Sequence, residues 1–137
     1  MTYAGDVTPI EAFAALEADP GAVLVDVRTS AEWQYVGVPD LSTVGRQVIG
    51  VEWQRYPDGS VNPEFVDDLQ SAVGESHGPI YFLCRSGVRS VAAAHAATRA
   101  GLGPAYNVLD GFEGSVGPEG HRSLRGWKIE GLPWRQG

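Results

Sequence analysis

The sequence predicts an α/β protein, because buried strands and helices alternate along its 137 residues. Two short runs, residues 22–27 and 80–83, are almost continuously apolar, as is typical of parallel strands covered on both faces. Several of the intervening segments carry helix-capping signals. Strands joined in this way form a parallel sheet with helices on both faces, and ligands bind beyond the carboxyl ends of its strands.

The first helix begins with a clear capping signal. Thr8 suits the cap, Pro9 suits the first helical position, and Glu11 completes a capping box. The helix ends near residues 19–21, and the apolar strand 22–27 follows. Thr29 and Glu32 then form a second capping box, which predicts a short helix.

The rest of the chain continues the alternation. Glycine and proline interrupt the pattern where loops are expected, and Gly101 stands at the usual cap position after an alanine-rich helix. The predicted elements are a loop over 37–47, a strand over 48–53, a helix from Asn62, a strand over 80–83, a helix over 88–100 and a strand over 105–109.

Composition restricts the functional class. The chain has the size of one domain, and we expect a single domain over residues 1–137. A net charge of −7 argues against nucleic acid as a partner, and no apolar run reaches the ~18 residues of a membrane helix. No export signal is visible, so the expected location is the cytoplasm. One cysteine excludes an intramolecular disulfide and a multi-cysteine zinc site.

The single cysteine lies where this architecture places active sites. Cys84 directly follows the strand 80–83 and precedes a helix N-terminus, which attracts anions. Gly87 lets the backbone curl, and nearby arginines favour a thiolate. We interpret Cys84 as the nucleophile, and not as the buried hydrophobe that a lone cysteine more often is. The predicted substrate-binding residues are Arg85, Ser86, Gly87, Val88, Arg89 and Ser90, although Arg89 could be structural and Ser90 could either donate to the sulfur or cap the helix.

This segment resembles the active-site loop of the rhodanese-type sulfurtransferases. Residues 84–90 read Cys-Arg-Ser-Gly-Val-Arg-Ser. Residues 26–28, Asp-Val-Arg, followed by Glu32 and Trp33, are similar to a family segment after an early strand. Asp110-Gly111 resembles the turn after the last strand, and residues 127–133, Trp-Lys-Ile-Glu-Gly-Leu-Pro, resemble the closing motif. The similarity covers nearly the whole chain.

The resemblance implies a rhodanese-like fold with a five-stranded parallel sheet and sulfur transfer through a Cys84 persulfide. It implies a small anionic donor such as thiosulfate, a thiol, cyanide or protein acceptor, and no metal or organic cofactor. The sequence departs from the family at Gly37-Val38-Pro39, where a histidine is usual, and in a long segment from Gly114 to Gly126. That segment contains His121, Arg122 and Arg125, which either border the mouth of the site or lie on a remote surface.

Two other functions compete with a thiosulfate sulfurtransferase. One is a sulfur carrier without turnover, which would use the same fold and the same persulfide. The other is a module that binds a partner, which would share only the fold. A cysteine-dependent phosphatase or arsenate reductase is disfavoured, because related phosphatase loops hold five residues between cysteine and arginine and here four separate Cys84 from Arg89. The sequence leaves the physiological donor, acceptor and oligomeric state open.

Overall fold

A parallel sheet of five strands lies at the centre of this computed structural model, which describes residues 3–55, 59–74, 77–85, 87–114 and 126–136. The strands are β1 (Gly5–Val7), β2 (Val23–Asp26), β3 (Val38–Pro39), β4 (Ile49–Gly50), β5 (Ile80–Leu83), β6 (Ala105–Val108) and β7 (Trp134–Arg135). The central sheet has the order β1–β6–β5–β2–β4, and every pair in it is parallel. The predicted fold class is therefore confirmed, with β5 in the middle of the sheet.

The described part of the chain contains four α-helices, which cover the two faces of the sheet: α1 (Pro9–Ala18), α2 (Ser30–Val36), α3 (Phe65–Val73) and α4 (Val88–Arg99). Helices α3 and α4 pack on one face, where Leu69 and Ala93 join Phe82 in one hydrophobic cluster. Helix α1 packs on the other face, where Leu16 and Trp127 from the C-terminal segment belong to a second hydrophobic cluster. Burial on both faces explains why β5 is apolar at every position.

Both predicted capping boxes are present. At the start of α1, the Thr8 N–H donates to Glu11 Oε1 at 2.8 Å and the Glu11 N–H donates to Thr8 Oγ1 at 3.1 Å. Thr29 and Glu32 form the same pair of bonds at the start of α2. Each box satisfies N–H groups that the first helical turn leaves without intrahelical partners.

The structure also adds elements that the sequence did not predict. Strand β1 supplies the fifth strand of the sheet by pairing with β6. The expected loop over 37–47 contains β3 and a short 3₁₀ helix at Ser42–Val44, and β3 pairs antiparallel with β7. Of the strand expected over 48–53, two residues, Ile49–Gly50, form the regular strand β4. Among the described residues, no helix combines the length and apolar character required to cross a bilayer.

Candidate active site around Cys84

Strand β5 delivers Cys84 to the carboxyl edge of the central sheet. The residue directly follows the strand, and only three residues separate it from the first turn of α4. Its side chain is 1% exposed and belongs to the hydrophobic cluster under α3 and α4. The sulfur therefore lies at the edge where parallel sheets place their sites, but beneath the surface.

The sulfur receives a backbone hydrogen bond at the beginning of α4. The Gly87 N–H donates to Cys84 Sγ at 3.1 Å. Gly87 is the N-cap residue, with a φ of 105° that favours glycine. The positive end of a 12-residue helix thus faces the sulfur, and this arrangement favours a thiolate or a persulfide anion.

A turn after β6 fixes the start of the loop. The Phe112 N–H donates to the Cys84 carbonyl at 2.8 Å, and the Glu113 N–H donates to the Arg85 carbonyl at 3.0 Å. Gly111 permits this approach, because a Cβ at that position would collide with the Cys84 carbonyl oxygen and lie 2.7 Å from the Arg85 carbonyl carbon. The structural role of this turn could be suspected from the Asp-Gly pair, but its contact with Cys84 could not.

Arg85 lies on the surface and is paired with a carboxylate. Its Nε is 3.0 Å from Glu113 Oε2, and its side chain remains 48% exposed. Such an exposed pair is weak, because water and salt screen it. Arg85 can therefore exchange Glu113 for an anion from solution at little cost.

Arg89 is held more firmly. It forms two parallel hydrogen bonds with Glu32 of α2, at 2.7 and 2.9 Å. Burial raises the pKa of Glu32. This effect is outweighed by the hydrogen bond from Arg89, the bond from the Thr29 backbone and the charges of Arg89 and Arg28, so that the pKa falls to about 2. The bond to Glu32 raises the pKa of Arg89, burial opposes this effect, and the negative charges of Glu32 and Asp26 add to it.

The Arg89–Glu32 pair ties α2 to the start of α4. Its partners are 57 residues apart in the chain, so no local pattern could reveal it. Because the fork of the guanidinium is filled by Glu32, the geometry favours the structural interpretation of Arg89 over direct substrate binding.

A buried ion pair supports the same edge of the sheet. Arg28 donates to Asp26 through Nε at 2.9 Å and through Nη2 at 2.6 Å, and Nη2 also donates to the Gly37 carbonyl at 2.7 Å. The guanidinium carbon lies 4.3 Å from the centre of the Phe112 ring. Arg28 thereby connects the end of α2 with the turn that holds Cys84. Removal of either charge would leave the other buried and uncompensated.

Ser90 connects the sulfur to a second polar network. Its Oγ lies 3.3 Å from Cys84 Sγ and donates to Asn107 Oδ1 of β6 at 2.5 Å. The Asn107 Nδ2 donates in turn to Asp6 Oδ1 of β1 at 3.0 Å. Ser90 and Asn107 are almost fully buried. Sequence reasoning missed Asn107 and Asp6, although an asparagine within an otherwise buried strand was a usable signal.

The remaining predicted site residues are placed only in part. Val88 is 76% exposed at the first turn of α4 and does not bury itself in the site. Ser86, His121, Arg122 and Arg125 lie outside the described residues. Within the described ranges, no cluster of three or more histidine, cysteine or acidic side chains is arranged to hold a metal ion. The absence of a cofactor stays a prediction.

The two described ends of the long C-terminal insertion lie together beside the turn 111–114. A Cβ on Gly126 would come within 2.7 Å of the Gly114 nitrogen. The Trp127 N–H donates to the Gly111 carbonyl at 2.9 Å. The insertion therefore leaves and rejoins the fold at the turn that contacts Cys84.

Comparison with known proteins agrees with this architecture. A family model described as the STR4 middle domain matches residues 4–137. The crystal structure of Rv0390 from M. tuberculosis is 56% identical and has a TM-score of 0.92, with 99% of this chain and 100% of that chain covered. The protein RC0915 of Rickettsia conorii is 40% identical over 131 residues, which are 95% of this chain and 96% of that protein. The chloroplastic rhodanese-like domain-containing protein 4 of Arabidopsis thaliana is 27% identical over 124 residues, which are 90% of this chain and 24% of that protein.

Proposed function

The chain belongs to the STR4 middle-domain family of rhodanese-like proteins, and we propose that it is a sulfurtransferase that carries sulfur as a persulfide on Cys84. The observation that carries the proposal is the position of the sulfur, which lies at the carboxyl edge of β5 and accepts the Gly87 N–H at the start of α4. A persulfide ends in an anionic sulfur, and preorganised N–H groups stabilise such a charge.

The reaction has two balanced steps. In the first, the Cys84 thiolate attacks the outer sulfur of thiosulfate, the sulfur–sulfur bond of the donor breaks, and sulfite departs with the bonding electron pair. In the second, cyanide, a thiol or a protein thiolate attacks the terminal sulfur of the persulfide and the Cys84 thiolate is regenerated. The chain contains no other cysteine, so the persulfide must pass to an external acceptor.

Intact mass spectrometry tests the first step. After exposure to thiosulfate and removal of excess donor, the wild-type chain should gain one sulfur atom, and Cys84→Ala should gain none. Thiocyanate production with cyanide tests the second step. A Cys84→Ala protein that still makes thiocyanate at the wild-type rate would exclude the proposed nucleophile.

A sulfur carrier without turnover is the second candidate, and the burial of Cys84 favours it. At 1% exposure, the sulfur is covered until a partner or a loop movement opens a path to it. A carrier would gain one sulfur from the donor, but would release sulfite in a single stoichiometric burst with a small acceptor. Repeated release of sulfite would instead establish an enzyme. A cytoplasmic location belongs with either role and stays a prediction.

We propose that Arg85 binds the anionic end of the donor. The residue adjoins Cys84, is half exposed, and pairs with Glu113, its partner among the described residues. Arg85→Ala should raise the Michaelis constant for thiosulfate about three- to ten-fold, because solvent reduces an exposed charged contact to roughly the value of one ordinary hydrogen bond. Glu113→Gln should lower the same constant, because the carboxylate that competes with the donor for Arg85 is then removed.

The matched control for this pair is Arg99→Ala. Arg99 is the last residue of α4, so the helix places it roughly 15 Å from the loop. This distance exceeds the screening length of ~8 Å at physiological salt, and the substitution should leave the Michaelis constant unchanged. Equal constants for Arg85→Ala and Arg99→Ala would contradict the role of Arg85.

A further inference from the structure

The hydrogen bonds that lead from Cys84 to β1 have a defined direction. Asp6 stands at their outer end, and an ionised carboxylate can only accept hydrogen bonds. The amide of Asn107 must therefore present its NH₂ group to Asp6, at 3.0 Å, and its carbonyl oxygen to Ser90. The single proton of the Ser90 hydroxyl then points to Asn107.

This direction determines what Ser90 offers to the sulfur. The Ser90 Oγ is 3.3 Å from Cys84 Sγ, and with its proton committed to Asn107 it presents only lone pairs. A thiol can donate its proton to that oxygen. A thiolate receives no hydrogen bond from it until the hydroxyl rotates and leaves Asn107.

We propose that Asp6 is a positioning residue, which acts on Cys84 through Asn107 and Ser90 and holds the resting side chain toward its thiol form. This inference rests on the proposed function only in that Cys84 is the nucleophile. The Gly87 N–H and the N-terminus of α4 act in the opposite direction. The hydrogen-bond chain from Asp6 and the N-terminus of α4 thus act in opposite directions on the fraction of Cys84 thiolate. Rotation of the Ser90 hydroxyl changes this fraction.

The other charged groups on the elements around Cys84 are mostly paired with one another. Among the described residues these groups include Asp26 at the end of β2, Arg28 directly after it, Glu32 on α2, Arg85 and Arg89 around the loop, and Asp110 and Glu113 after β6. Farther along the packed helices stand Asp67 and Asp68 on α3 and His95 and Arg99 on α4. None of them belongs to the Asp6–Asn107–Ser90 chain. Substitutions in that chain therefore leave these charges in place.

The test is Asp6→Asn. An asparagine at position 6 can donate a hydrogen bond, so the side-chain amide of Asn107 can flip and present its NH₂ group to Ser90. The Ser90 hydroxyl is then free to donate its proton to the Cys84 sulfur. The readout is the ultraviolet absorbance of the thiolate as a function of pH in the full chain, with Cys84→Ser as the blank. We expect the ratio of thiolate to thiol at a fixed pH to rise about ten-fold, which corresponds to one hydrogen bond to a charged group.

Two controls separate the hydrogen bonds from the loss of a charge. Loss of the Asp6 charge would also favour a thiolate directly, but that effect persists without Ser90. In a Ser90→Ala background, Asp6→Asn should therefore change the ratio much less. Tyr3→Phe removes a second described hydrogen bond to Asp6 Oδ1, which is 2.8 Å long, and keeps the charge, so it should match the wild type.

Asn107→Ala provides a second variant, because it releases the Ser90 proton without changing Asp6. Asn107→Ala should also raise the ratio of thiolate to thiol, and this result does not depend on whether Asp6→Asn folds. An unchanged ratio in the folded variants, or an equal rise with and without Ser90, would overturn the proposal. The absorbance needs neither donor nor acceptor, so failure here is distinguishable from failure of persulfide formation.

Discussion

Replacement of Glu32 by glutamine isolates the ion pair that joins α2 to the start of α4. Glutamine can still accept the Thr29 N–H, so the capping box survives. The substitution removes the negative charge that faces Arg89 at 2.7 and 2.9 Å. Any loss of stability therefore reports the charge pair and not the cap.

The pKa of Glu32 gives the size of the effect. A decrease from 4.5 to about 2 corresponds to roughly 3 kcal/mol of folding free energy. The two side chains remain 20% and 21% exposed, so water and salt screen part of this interaction. We expect Glu32→Gln to lower the free energy of unfolding by about 1–2 kcal/mol at pH 7.

The effect must also depend on pH in a defined direction. The folded state lowers the pKa of Glu32, so the stabilisation is complete above about pH 4.5 and is lost as the pH falls toward 2. At pH 3 the difference between wild type and Glu32→Gln should be about half its value at pH 7, or less. Urea denaturation followed by circular dichroism at the two pH values measures both quantities.

Glu11→Gln is the matched control for this experiment. Glu11 occupies the same position in the capping box of α1, but it is exposed and no ion pair to it is seen among the described residues. Its replacement should cost less than about 0.5 kcal/mol. Equal losses for the two variants at pH 7, or a Glu32→Gln difference that persists unchanged at pH 3, would refute the ion-pair argument.

Two further predictions concern the turn beside Cys84 and the C-terminal insertion. Gly111→Ala should destabilise the fold by about 3 kcal/mol in urea denaturation, because its Cβ would collide with the loop backbone, whereas Gly101→Ala, with a similar φ and open space around it, should cost about 1 kcal/mol. Similar losses of stability in the two variants would show that the positive φ, and not the collision with the loop backbone, accounts for the cost at position 111. Combined replacement of Arg122 and Arg125 by alanine should raise the Michaelis constant for thiosulfate at low salt, with a smaller difference at high salt, if these charges lie within roughly 8–10 Å of the sulfur. Identical kinetics at low salt would assign the insertion to a remote surface.

The sequence predicted the elements whose signals are local. Both capping boxes lie within four consecutive residues, and the structure contains both of them. The apolar run at 80–83 predicted β5, because burial on both faces requires apolar side chains at every position. With that strand placed, Cys84 had to stand at its carboxyl end.

Strand β1 illustrates the opposite case. It has three residues, and its outer positions are only partly buried. Nothing in Gly5, Asp6 and Val7 distinguishes a strand from a loop, since a segment this short has no periodicity to read. Its backbone becomes a strand only because β6 offers an open edge with matching hydrogen-bonding groups.

The sequence also singled out Cys84 and its loop as the candidate site, but it did not reveal the partners of the loop. Arg89 was left between a substrate-binding and a structural role, and the structure pairs it with Glu32, 57 residues away. Asn107 reaches Asp6 across 101 residues. Capping, strand burial and loop position follow from neighbours in the chain, whereas ion pairs and the direction of the Ser90 hydroxyl depend on which side chains the folded sheet brings within about 3 Å of each other.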